Sequence, residues 1–181
     1  MKDGATKEFV QAYNAQAAVD SHAQVIVGAA VTQEANDKQQ LVPMLKEVKV
    51  QMGIPPRQAT ADNGYFSEPN VTDAQLREID LFVAPDGQKH SEKPPVTTGP
   101  PPSGASVAEQ MRHKLRTAEG QAVYKLRKAV VEPVFGQIKE ARGFRRFLLR
   151  GLGKVQAEWQ MICATHNLLK VFRSGWSPQR A

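Results

Sequence analysis

Two carboxylates stand out among the groups that could do chemistry. Asp62 follows the small-residue run Gln58-Ala59-Thr60-Ala61 and precedes Asn63-Gly64-Tyr65-Phe66. An aspartate at the carboxyl end of such a strand sits where α/β sheets present ligand-binding groups. The Asn-Gly that follows permits a tight turn and lets a ligand approach the backbone. Ordinary turn chemistry accounts for the same residues. Glu132 lies in YKLRKAVVEPVFGQIKEARGFRRFLLRG, Tyr124 to Gly151, which is expected to form a long helix followed by a basic turn. At about 3.6 residues per turn, Glu132 and Lys139 fall on one face, with Lys125 and Lys128 on the same side. Val130, Val131, Val134, Phe135 and Ile138 supply an apolar stripe to anchor that helix. Pro133 removes one amide from its interior and tends to kink it. One carboxylate beside a kink, with cations on its face and Arg142, Arg145, Arg146 and Arg150 beyond, could set a metal ligand next to phosphates. An amphipathic helix with a solvated charged face explains the spacing equally.

The elements that must position these groups read as strands first and helices later. Residues 8–19 and the run QVIVGAAVT (24–32) flank Asp20-Ser21-His22, which suggests an antiparallel hairpin with Asp20 as a turn residue. A helix capped by Asn36 or Asp37 follows, with Leu41, Met44, Leu45 and Val48 inward and Gly53 with Pro55-Pro56 as its stop. Pro43 fits that helix only within its first turns. Ser67 to Ile79 reads as a second helix with Leu76 and Ile79 inward, and Leu81 to Ala84 as a buried strand. Alternating strands and helices imply an α/β layer. Residues 85–103 hold six of the 12 prolines and almost no apolar side chain, the composition of a mobile insertion or linker. His90 within it has no second ligand nearby, so zinc is not expected there. Helices are expected over 106–117, 119–142 and 153–173. The last carries Val155, Trp159, Ile162, Cys163, His166, Leu169 and Phe172 at core spacing. His166 and Cys163 read as packing residues, and the tail after Ser174 as frayed.

Composition narrows the function classes. The chain has 181 residues, 41% of them hydrophobic, enough for one core with a small second subdomain. A single cysteine excludes an internal disulfide framework and fits a reducing cytosol. No apolar run approaches the roughly 20 residues of a membrane span, and no signal-peptide core opens the sequence. A cytoplasmic, nucleoid-associated protein is expected. The formal charge is +6, unevenly spread. Residues 1–103 hold nine basic and thirteen acidic side chains, while residues 104–181 hold fifteen and five. A basic half suggests a polyanionic partner, most simply nucleic acid.

The ordered segments YNAQAAVD, VIVGAAVTQEANDKQQL, ADNGYF, VVEPVFGQIKEARGFRRFLLRG and THNLLK resemble the carboxyl-terminal part of bacterial insertion-sequence DDE transposases. The resemblance spans roughly residues 10 to 173. It implies an α/β fold with an incomplete RNase H-like core over 1–84, a linker at 85–103, a helical part over 104–174 and a tail at 175–181. It also implies that Asp62 is the second catalytic carboxylate and Glu132 the third. The family's tyrosine, arginine, glutamate, lysine signature is matched by Tyr124, Arg127, Glu132 and Lys139. Between Arg127 and Glu132 lie four residues where the usual gap is three.

What the resemblance implies is strand transfer on DNA at insertion-sequence ends. Mg²⁺ or Mn²⁺, as a pair of ions held by carboxylates, would activate the attacking and leaving oxygens of an in-line displacement. Asp62 and Glu132 would be metal ligands, while Arg127 and Lys139 would neutralise phosphate charge. Lys125, Lys128, Arg142, Arg145, Arg146, Arg150 and Lys154 would track DNA. The family's first catalytic aspartate lies on a strand ahead of the hairpin, and MKDGATK offers only Asp3 there, outside any strand. An amino-terminally truncated chain with little activity of its own is therefore expected, and its uncovered sheet edge invites self-association. Two other readings compete: a non-catalytic DNA-binding or oligomerisation module, and an RNase H-like nuclease.

Overall fold

The computed structural model describes residues 12–87 and 95–176, so Asp3, the start of the expected hairpin at Glu8, His90 and the end of the tail lie outside the described residues. It is a mixed α/β structure with two small sheets. The chain packs as two units, one made of residues up to Ala35 and from Val130 onward, the other of Asn36–Ala129. This division is one of packing, whereas the division at residues 84 and 103 is one of composition.

In the first unit, small and β-branched residues form the hairpin of β1 (Asn14–Val19) and β2 (Ile26–Thr32), paired antiparallel with Ala17 opposite Ala29. Asp20 is the turn residue expected, its carboxylate accepting the His22 and Ala23 amides at 3.0 and 2.7 Å. The helix α5 (Leu152–Arg173) buries Val155, Trp159, Ile162, Cys163 and His166, and the first four cluster with Ile26, Ala29 and Val31. Two of its amides bond backbone groups of β2. Gln156 accepts from the Val31 amide and donates to the Ala29 carbonyl. Asn167, three turns on, does both to Ile26. The helix thereby satisfies ladder groups that a further strand would otherwise take. His166 donates from Nε2 to the Gln24 carbonyl at 3.1 Å, holding a turn in which Gln24 has φ +56°. Phe172 departs from the expected core: it is 82% exposed, and Leu169 is half-buried. The apolar stripe of α5 drifts off the hairpin because the hairpin ends before the helix does.

In the second unit, α1 (Leu41–Met52) buries Leu41, Met44, Leu45 and Val48 and stops at Gly53 in the left-handed region. Pro43 falls within its first turn, where no amide partner is needed. The expected cap at Asn36 or Asp37 is not made; Gln40 precedes the helix without a side-chain cap. Strands β3 (Gln58–Ala61) and β4 (Asp80–Val83) pair in parallel, Thr60 opposite Phe82. The expected helix over 67–79 breaks into one turn, α2 (Glu68–Val71), and a 3₁₀ turn, Ala74–Leu76. Ser67 and Asp73 each cap locally, bonding the amides of Asn70 and Gln75, and Asp73 starts a new turn where a continuous helix would run on. Leu76 and Ile79 are nevertheless buried with Leu41, Leu45, Leu81 and Val83.

The helix α3 (Val107–Arg116) opens on a capping box between Ser106 and Glu109. Residues 95–103 form no helix or strand, but Thr97 bonds Arg116 through its amide and His113 through its hydroxyl. At the next junction a Cβ on Gly120 would lie 2.0 Å from the Lys114 carbonyl oxygen, so only glycine fits that close approach. From there α4 (Ala118–Gly136) continues through Pro133, and one turn later widens into a π-turn, Gln137–Ala141. The expected helix over 119–142 is therefore not uniformly α. Wider winding after Gly136 changes the angle from Glu132 to Lys139 relative to an unbroken α-helix.

Candidate active site

Asp62 follows the last residue of β3 and caps the 3₁₀ turn Asn63–Tyr65. Its Oδ1 accepts the Gly64 amide at 2.9 Å, which leaves Oδ2 to face the Arg127 guanidinium at 3.8 Å. The Asp62 side chain is 47% exposed and that of Arg127 22%. One flank of the arginine lies over the Tyr124 ring, 5.4 Å from its centroid, and its Nε is buried without a partner among the described residues. Tyr124 and Arg127 are three residues apart on α4 and so share a face. Burial raises the Tyr124 phenol pKa, Asp62 adds to the rise, and Arg127 opposes it.

A second carboxylate joins this cluster, and no spacing rule pointed to it. Asp37 is half-buried in a loop whose other residues from Gln33 to Gln39 are exposed. A Cβ built on Gly64 would meet Asp62 Oδ1 at 3.0 Å and Asp37 Oδ2 at 3.4 Å, so the two carboxylates flank one backbone position. The Asn70 amide bonds the carbonyls of both Lys38 and Tyr65, clamping the Asp37 loop onto the Asp62 turn. Tyr65 is held well above the usual phenol range, chiefly by burial, then by Asp37 and Asp62. Its hydroxyl stays protonated beside two carboxylates.

Glu132 is exposed on α4 and makes no hydrogen bond or ion pair among the described residues. Five residues beyond Arg127, it is turned about 140° from it around the helix, whereas Lys128 shares its face. Lys139 is exposed, its ammonium 5.5 Å from the Phe135 ring centroid. Arg142 bonds the Ile162 carbonyl at 3.1 Å and the Thr165 hydroxyl, and Arg145 pairs with Glu140. Lys125, Arg146, Arg150 and Lys154 are exposed and have no partner among the described residues. The structure thus brings Asp62, Arg127 and Tyr124 together.

Residues 90–172 match the family model of the transposase DDE domain, a stretch that contains Tyr124, Arg127, Glu132 and Lys139 and leaves out Asp62. The match supports a DDE transposase, a class that works in DNA transposition and uses divalent metal. No curated protein and no solved structure matches the chain. Among the described residues, no helix is long and apolar enough to cross a membrane.

Proposed function

We propose that the chain carries part of the catalytic machinery of an insertion-sequence DDE transposase of RNase H-like fold, with Asp62 and Glu132 as the second and third of the family's metal-binding carboxylates. The observation that carries this reading is the Asp62–Arg127 pair. It joins the carboxylate at the end of a parallel strand to the helix that bears the family's Tyr, Arg and Glu. An antiparallel hairpin, a helix and then parallel strands is also a chain order compatible with an RNase H-like sheet. Among the described residues no three or more His, Cys, Asp or Glu stand together as a metal cluster. The donor chemistry fits a hard cation all the same: Asp62 is half-exposed, Glu132 is exposed with no side-chain partner among the described residues, and Mg²⁺ and Mn²⁺ favour carboxylate oxygen.

A bound pair of divalent ions would supply the activated oxygen nucleophile and stabilise the leaving oxygen. The chain's own part is positioning and charge. With Oδ1 bonded to the Gly64 amide, Asp62 keeps Oδ2 free of hydrogen bonds among the described residues and facing Arg127. Arg127 neutralises that oxygen in the protein alone and carries a donor, Nε, still to be satisfied. A phosphodiester would give its fork two acceptors in place of one distant carboxylate oxygen. Lys139 adds a point charge, and Lys125, Lys128, Arg142, Arg145, Arg146, Arg150 and Lys154 form the DNA-tracking set. Arg142 and Arg145 would have to exchange existing bonds to join it.

Titration of the full chain with Mn²⁺, followed by the loss of the free-ion electron paramagnetic resonance signal, tests the reading. Asp62→Asn and Glu132→Gln should each weaken binding at least about tenfold, the scale on which even supporting residues act. Binding unaffected by either change would refute the assignment. Salt-sensitive DNA binding without any such metal site would favour the non-catalytic DNA-binding module.

A further inference from the structure

We propose that the loop from Gly143 to Gly151 is a wedge that enters a DNA duplex, with Leu148 as the inserting side chain and Arg146 and Arg150 on the flanking phosphates. The proposal rests on the DNA-binding reading above and deepens it. The loop begins and ends on glycines in the left-handed half of backbone space, φ +74° at Gly143 and +87° at Gly151. Between them it is pinned at three points. The amides of Leu148 and Leu149 both donate to the Glu158 carboxylate of α5, at 2.8–3.1 Å. The Gly151 amide donates to the Tyr13 hydroxyl at 2.9 Å. Phe147 packs edge-on against Tyr13 and Trp159, with centroids 6.4 and 6.2 Å away.

A loop held this firmly nonetheless presents apolar side chains to water. Leu148 is 75% exposed, Leu149 47% and Leu152 43%. Scattered apolar exposure is ordinary, but three leucines within five residues at a pinned tip form a local patch. Its frame is cationic. Arg146 and Arg150 make no ion pair among the described residues, since Glu140 pairs with Arg145 and Glu158 turns its oxygens to the two amides. Because Glu158 already fills the amide pair, phosphate contact falls on the guanidiniums. An apolar tip between arginines matches what a duplex offers at an opened base step: stacked surface inside and phosphates on either side. Rigidity matters here, because a floppy tip would lose ordering entropy on insertion.

The test is fluorescence anisotropy with the full chain and two labelled duplexes, one fully paired and one with a central mismatch that is already partly unstacked. The unaltered chain should bind the mismatched duplex about tenfold more tightly, since less stacking is lost on insertion. Leu148→Ala should abolish that preference, and Leu148→Met should retain it. Leu148 is too exposed for these changes to threaten folding. A preference unchanged in Leu148→Ala, or absent in the unaltered chain, would overturn the wedge and leave the DNA-binding reading standing. No salt-sensitive binding to either duplex would remove that reading, and the wedge with it.

Discussion

Replacing Gly64 with alanine separates the positioning of Asp62 from the stability of the fold. The added methyl would lie 3.0 Å from Asp62 Oδ1 and 3.4 Å from Asp37 Oδ2. Both are ends of side chains, so the carboxylates can swing aside and the backbone can stay. Swinging Asp62 breaks its bond to the Gly64 amide, a partly exposed contact worth about 1 kcal/mol. For a chain of this length that lowers the melting temperature by only about 2–4 °C. The site suffers more, because Oδ2 loses the orientation that faces Arg127 and any metal. Mn²⁺ affinity should fall about tenfold or more, approaching the Asp62→Asn value. Circular-dichroism melts and Mn²⁺ titration on one preparation decide the matter. A melting temperature lowered as expected with Mn²⁺ affinity unchanged would show that the Asp62 turn does not set the site.

Gly120→Ala should do the reverse: its methyl meets a backbone carbonyl at 2.0 Å, so the α3–α4 junction must move. We expect a loss of about 2 kcal/mol, read as a melting temperature lower by about 4–8 °C; an unchanged melt would contradict the close approach. His166 is pushed below its ordinary value of 6.5, first by burial, with Lys170 and Arg142 adding, against its bond to Gln24. A folded pKa below the unfolded one means stability is fully present above pH 6.5 and drains away as pH falls beneath it. Melting temperatures should therefore drop from pH 7 to 5, and a His166 that titrates by NMR above its ordinary value of 6.5 would refute the assignment. Arg146→Ala with Arg150→Ala should shallow the salt dependence of DNA binding by nearly two units, at about 0.9 for each phosphate contact; an unaltered slope would move the interface elsewhere.

Local patterns made the frame readable, and long-range placement did not follow from them. The hairpin, the β3 run ending at Asp62 and the buried face of α5 from Val155 to His166 follow from period and composition. Cys163 is buried, as its spacing suggested, and burial pushes its thiol up to about 12. The 67–79 segment misled because Leu76 and Ile79 keep helical spacing while Ser67 and Asp73 divert the amides. Asp37 resembled a helix cap, and its place across Gly64 depends on the Asn70 clamp, a contact 32 residues away in sequence. Arg142 belonged by composition to a basic turn; its bonds to α5 depend on how that helix folds back. Glu158 is a similar case, since nothing in its neighbours marks it as the anchor of a loop ten residues earlier.

The most direct measurement is a diffraction experiment on Mn²⁺-soaked crystals of the full chain, with data collected at the manganese absorption edge. If Asp62 and Glu132 are the metal-binding carboxylates, the anomalous peak should be bound by both, their carboxyl groups within about 8 Å of each other to share two ions. Manganese held by other residues, or carboxylates on opposite faces with no anomalous density between them, would contradict the account.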